Sequence, residues 1–477
     1  MIRSTVATLA IIAVLASLWP VRVHAQESPV PTTVESSLAD QTDVAVTIYN
    51  NNLALVRDTR QLTLPTGEHA LRFGDVAQLI KPESVSLVSV ATPGSLRILE
   101  QNYEYDLMSP SKLMEKYVGK RVRLINLSNE ITSTEVEAEL LSLNEGPVYQ
   151  IGGEIFLGHP GYVVLPEIPE NLIAKPSLVW MIENSAAAQT VEATYLTNGI
   201  TWAADYVLTL SKDETSMDIA GWVTLANQSG ATYSNAKLKL VAGDVNIVQP
   251  PQEAFYAGGA VTMGQRVAEA VEESFAEYHL YSIPRRTTIK QNQSKQVSLL
   301  TANGVKLAKK YEFRGQESFY SQPMGHLPEQ NADVYIVFEN EETNQLGIPL
   351  PGGVMRIYQE DSEGMLQFSG EDRIKHTAKK ENIRLKMGNA FDVVGERRQL
   401  DYRVISANVH QSEYEIVLRN HKESDITVDV VEPLGGDWEI LSETHTHEKR
   451  DSRTAAYSIP VPKDGEATLK YRVQVRY

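Results

Sequence analysis

The chain contains no cysteine. It can therefore form no disulfide, no thiolate metal site and no cysteine nucleophile, and its stability must come from packing. Beyond Leu18 no apolar run approaches the about 20 residues that a spanning helix requires. A Gly-x-Ser-x-Gly nucleophile elbow is missing, as are a phosphate loop, a dinucleotide-type glycine turn and a His-Glu-x-x-His helix. Those absences remove the local signatures of serine hydrolases, nucleotide binders and zinc peptidases. Basic residues are in the minority, 44 against 61 acidic, for a net charge of -17. Such a field disfavours nucleic acid and anionic membrane surfaces and favours solubility.

What is present begins with a secretory signal. Arg3 supplies the positive start, Val6 to Leu18 is apolar except for Thr8 and Ser17, and Pro20 breaks the run. Val23-His24-Ala25 offers a cleavage site after Ala25, so residues 1–25 read as a signal peptide. Gln26, not Cys, follows the proposed cut, which leaves no thiol for a lipoprotein anchor. Residues 26–43, rich in Pro, Ser, Thr and acid, read as a flexible leader. The expected location is periplasmic or extracellular.

The 477-residue chain is too long for one small core, and about two to four domains are expected. An apolar-x-apolar-x-Asn phrase recurs: Val122–Asn126, Val223–Asn227, Ile336–Asn340 and Ile416–Asn420. Period two places the apolar pair on one face of a strand, and Asn ends it by bonding nearby backbone. The expected fold is mainly β, built of several antiparallel β-sandwiches. A small N-terminal sandwich spans 44–100 and an SH3-like or Sm-like barrel spans 101–177. A central sandwich spans 178–395, and an immunoglobulin-like sandwich occupies 396–477. One helical insert is expected over 258–280, because Met263, Val267, Val271 and Phe275 recur every four residues.

Several spaced phrases resemble the mucoidy inhibitor A-like family. They include Ile48-Tyr49-Asn50 with Leu53–Arg57, Gly67-Glu68-His69 and Ser84–Leu87. Gly199 to Tyr206, running on through Gly221–Asn227 to Gly243-Asp244, is similar as well. So are Tyr278–Tyr281, Leu350–Gly353 with Arg356 to Tyr358, and Gly370-Glu371-Asp372 with Phe391-Asp392. The resemblance covers most of Val44 to Tyr477. It implies a β-rich, exported or envelope-linked protein whose C-terminal half is a domain of unknown function, and it brings no catalytic residues. Members of that family carry a coiled coil between their halves, where this chain has the barrel-like segment.

Four groups of residues could carry chemistry. His445 and His447 stand at a spacing that shares a strand face, with Glu443 or Asp451 as a third metal ligand. A solvated turn explains them better. Glu371-Asp372 with His376 could be an acid/base cluster, or a loop with a capping Asp. Asp205 lies beside Trp202 and Tyr206; strand spacing puts the two rings on one face and the carboxylate on the other, which reads as aromatic core packing. Trp222 and Trp438 read the same way. Phe255 and Tyr256 beside the helical insert could stack on sugars. No catalytic, cofactor or metal residue is assigned. The leading expectation is a non-enzymatic exported protein that binds or scaffolds a protein or envelope component. A metal-dependent or other hydrolase and a carbohydrate-binding module are the alternatives.

Overall fold

The computed structural model describes residues 32–129, 132–159, 161–169, 172–243, 271–275 and 278–477. The protein is mainly β, and Pro110–Lys116 is its one α-helix among the described residues. Ser109 opens that helix by accepting a bond from the Lys112 N–H (3.2 Å), and Pro110 supplies a preset φ at the first position. Residues 1–25, with the expected signal peptide, lie outside the described set. No described helix is long and apolar enough to cross a membrane.

Alternating burial builds the sheets. Ser216–Asn227 turns Met217, Ile219, Val223, Leu225 and Asn227 inward and the side chains between them outward. Pairing is far less local than the sequence suggests. Gln41–Tyr49 and Leu53–Thr63 join Tyr233–Ala242 and Ala188–Thr197 in a seven-stranded sheet. Gly67–Gly74 and Leu96–Glu104 flank Ser177–Asn184 in a four-stranded sheet, with Thr33–Ser36 on its edge. Residues 44–100 therefore do not close a sandwich of their own: Val46, Val56 and Leu71 share one core with Trp180, Tyr206 and Ile357. A central five-stranded sheet, with Ile200–Leu210 parallel to Gly353–Glu360, covers the same core.

The expected boundary at 395/396 falls inside a single 25-residue strand, Asn382–Ser406. That strand belongs to a nine-stranded sheet that also takes Ala308–Arg314 and Gln330–Glu339. The sheet curls until its two ends face each other, and the Tyr457 and Tyr471 rings stack across the interior at 5.5 Å. This second core runs from Tyr311 to Val475. The expected helix at 258–280 is also revised. Val271–Phe275 is a strand antiparallel to Tyr278–Ile289, and 258–270 lie outside the described residues. Recurrence every four residues fits a strand face as well as a helical one, because four is a multiple of two.

Leu96–Glu104 and Ser177–Asn184 are antiparallel neighbours, with Glu104 opposite Ser177. Everything between them is an insertion into one hairpin connection. It holds five strands in the order Glu154–Leu157, Val148–Ile151, Thr132–Ser142, Arg121–Asn129, Tyr162–Val164. Its small core of Tyr117, Val122, Leu124, Ala138, Leu140 and Tyr149 is separate from the other two. A Leu107–Ile173 bridge and a Lys116–Asp106 ion pair (3.1 Å) close its neck.

Asn227, Asn340 and Asn420 are fully buried, and each amide closes a strand end. The Asn420 Nδ2 donates to the carbonyls of Ser424 (2.9 Å) and Pro462 (3.0 Å), while its Oδ1 accepts from the Lys422 N–H (3.0 Å). Asn340 binds the carbonyls of Ile348 and Ala378 and the Gly347 N–H, and Asn227 holds Ala231 and Ser229 alike. A further copy of the phrase, Trp180 to Asn184, ends in another buried plug, with Nδ2 on Pro65 (2.8 Å) and Ala186 (2.9 Å). The Asn126 side chain lies outside the described ones. Each plug satisfies carbonyls that would otherwise be buried without donors, at about 1–3 kcal/mol apiece.

Two measurements follow. Asn420→Ala is expected to lower unfolding free energy by about 2–4 kcal/mol in urea, and Asn420→Asp by no less, because a carboxylate would face carbonyl oxygens. Replacing 105–176 by an Asn-Gly turn should leave the remainder folded. Its thermal midpoint is expected to move by less than about 5 °C, because the strands being rejoined are already paired.

Candidate functional site

The residues singled out in the sequence do not converge. His445 and His447 lie in the loop between Asp437–Glu443 and Glu448–Asp451. His447 contacts Glu443 (2.8 Å) and meets the Trp438 ring edge-on, while His445 hydrogen-bonds its neighbour Thr444 (3.1 Å). No group of three potential ligands occurs among the described residues. Glu371 pairs with Arg356 (3.2 Å), and Asp372 accepts the N–H groups of Arg373 and Lys386 (2.8 Å each). His376 instead accepts the Gly352 N–H (3.1 Å) and faces the Asn50 amide (3.1 Å). These three side chains thus have three separate sets of partners.

Trp202 and Tyr206 are buried on one face, and Tyr206 donates to the Pro351 carbonyl (2.8 Å). Asp205 sits on the other face, taking Arg356 (3.1 Å) and Thr224 (2.9 Å). Trp438 is a core residue, but Trp222 is half-exposed beside Asp205, because its neighbours Gly221 and Val223 hold the inward positions. Phe255 and Tyr256 lie outside the described residues.

A buried charged group in the second core went unseen in the sequence. Arg397 and Glu432 are both enclosed in the second core, with the Arg397 Nη1 2.7 Å from the carboxylate. Tyr320 donates to the same carboxylate and meets the Tyr471 hydroxyl at 2.7 Å. Burial opposes the Arg397 charge, but the Glu432 carboxylate outweighs it and holds the guanidinium protonated above its usual range. Burial raises the Tyr320 and Tyr471 hydroxyls well above theirs. Gly315 is required beside them, since a Cβ there would stand 2.2 Å from the Glu432 Oε2. With side chains 0–3% exposed, no solute reaches the pair, so its work is to fix how the curled sheet closes. Arg397→Met or Glu432→Gln alone should cost about 3–5 kcal/mol in urea unfolding, because either leaves a buried partner unpaired. The Arg397→Met/Glu432→Leu double variant should lose less than the sum of the two single losses.

The exposed feature that lacks a structural explanation is the free edge of the inserted sheet. Val148–Ile151 and Glu154–Leu157 form a hairpin about Gly152-Gly153, whose φ values of 57° and 91° suit a two-residue turn. The Gly158 N–H returns to the Pro147 carbonyl (2.9 Å), which confirms the register. In that register Ile155 and Leu157 occupy the non-hydrogen-bonded pairs, so their N–H and C=O groups point away from the sheet. Both side chains are exposed, 66% and 87%, and Phe156 and Leu141 add to the apolar surface. Glu145 and Glu154 flank this edge with no ion-pair partner among the described residues.

Against known proteins, no curated sequence matches the chain. Residues 191–477 match the domain of unknown function DUF4139, which takes in the central five-stranded sheet and the curled nine-stranded one and leaves out the inserted module. The match covers more than half of the chain, which belongs to the DUF4139 family.

Proposed function

We propose that the protein is an exported, non-enzymatic binding or scaffolding protein of the cell envelope, with the inserted module as its binding head. The observation that carries this reading is the apolar, unpaired edge at Glu154–Leu157. Exposed edges of this kind are a hazard that folded proteins blunt with charge, proline or a covering element. Here Ile155 and Leu157 leave the edge adhesive, and an extended protein segment could add to it as a further strand. The module's own core and its neck in a hairpin connection suit a unit held out from the body. The signal-like N-terminus and the resemblance to the mucoidy inhibitor A-like family support an envelope location.

Site-specific photocross-linking in cells tests the reading. A photoreactive residue in place of Leu157 should give a discrete protein adduct in the exported fraction, and one at exposed Glu423 should not. Ile155→Pro should abolish the adduct while preserving the fold, because proline removes an outward-facing donor and no ladder bond. Equal adducts at both positions, or an adduct that survives Ile155→Pro, would count against strand addition.

A further inference from the structure

Leu124 to Ala174 carries eight Glu and no Lys or Arg. That run supplies every strand of the inserted sheet apart from the first residues of Arg121–Asn129. The sheet's two guanidinium groups, Arg121 and Arg123, stand three strands in from the free edge and are already matched. Arg121 faces Glu137 (3.8 Å) and Arg123 faces Glu135 (2.7 Å). At the free edge nothing offsets the carboxylates. Glu154 opens the edge strand at the turn end of the hairpin. Glu145 stands at the open end, in a turn closed by the Gly146 N–H on the Leu143 carbonyl (3.3 Å). Both are exposed, so the apolar middle of the edge is bordered by negative charge at each end.

This border decides which strand the edge accepts. Ile155 and Leu157 lie on one face, and Phe156 lies on the other, opposite the buried Tyr149. A strand added there sets one residue against each of the three, and apolar or β-branched side chains suit all of them. The next residue toward the turn end falls opposite Glu154, and the next toward the open end comes to the side of Glu145. Opposite charges across a strand pair are favourable and like charges are not.

We propose, resting on strand addition at this edge, that the occupant is an extended protein segment in which a short apolar stretch lies between two basic residues. Main-chain bonds to Ile155 and Leu157 hold it, the apolar side chains set its register, and the basic ends meet Glu145 and Glu154. The pattern reads alike in both directions, so it serves a parallel or an antiparallel partner. The acidic surface of the module also steers such a segment inward. A second copy of this chain is the wrong occupant. Two such edges laid antiparallel match Ile155 with Leu157, yet each Glu154 is carried to the open end of the other hairpin, toward Glu145. The acidic border thus guards the edge against self-pairing while leaving it open to a basic segment.

Isothermal titration of the full chain with two synthetic peptides is the test. One is Gly-Lys-Val-Thr-Val-Lys-Gly, and the other has Glu in place of each Lys. At about 20 mM salt the Lys peptide should bind about tenfold or more tightly than the Glu peptide, and about 500 mM salt should remove most of that preference. The Glu145→Lys/Glu154→Lys double variant should reverse the preference, with its fold unchanged by circular dichroism. Ile155→Pro should abolish binding of the Lys peptide. A preference that survives the charge reversal would overturn the proposal, as would no heat from the Lys peptide at about 2 mM. If both peptides bind equally and Ile155→Pro releases them, strand addition stands and the basic pattern is wrong. If the Lys peptide binds and Ile155→Pro leaves it bound, surface charge alone holds it and both readings fail. A Leu157 adduct of twice the chain's mass would make a second copy the occupant and overturn the proposal as well.

Discussion

Two strands serve two cores, and the rest of the platform is arranged around them. Gln330–Glu339 sends Ala332 and Val334 into the second core and Ile336 and Phe338 into the first. Its partner does likewise, with Ile383 and Leu385 in the first core and Ala390 and Val393 in the second. Met387 touches both. Each buried aliphatic side chain is worth about 1.5–3 kcal/mol, so loosening this pair would draw on both cores at once. The strands cannot run straight past the junction. Register shifts occur between Asn331 and Asp333 and between Val334 and Tyr335, where the chain passes from one core to the next. The outward bulge at Phe391, which leaves that ring exposed, is thus a consequence of bending one ladder across two cores.

Against this rigid frame the inserted module is the opposite case. It packs on its own six-residue core and reaches the body through a narrow neck. The hairpin it interrupts is paired without it. Elsewhere polar groups enforce closure. The asparagine plugs tie strand ends to the turns that follow them, and the Arg397–Glu432 pair tells the nine-stranded sheet where to curl. A buried ion pair of this kind contributes specificity more than net stability. Arg60 does similar work at the N-terminal edge. It lies over the Phe73 ring, holds Asp58 (2.8 Å) and reaches Ser36 (3.2 Å), which fastens Thr33–Ser36 to its sheet.

The strands were largely legible, because alternation of apolar and polar residues is a local property. The asparagine phrase was legible for the same reason as a strand ending, but the amides' burial and their bonds to distant carbonyls such as Ala378 and Pro462 were not. Domain limits were not, because pairing such as Lys237 with Ala45 or Thr63 with Ala188 joins distant residues that no spacing links. The helix expected from Met263 to Phe275 came from a repeat of four that fits either periodicity. As for sites, Glu154–Leu157 could be read as a strand, but its lack of a neighbour depends on the whole sheet. His445, His447 and His376 drew attention as residue types, and the fold gives them separate tasks.

Native-state hydrogen exchange across a urea series tests the shared-strand account most directly. Amides at 334–338 and 383–387 should exchange only with global opening, at the same free energy as those of both cores. The inserted module should open separately and earlier. Two distinct transitions for Val46–Val56 and Tyr414–Leu418, with the shared strands following only one of them, would contradict the account.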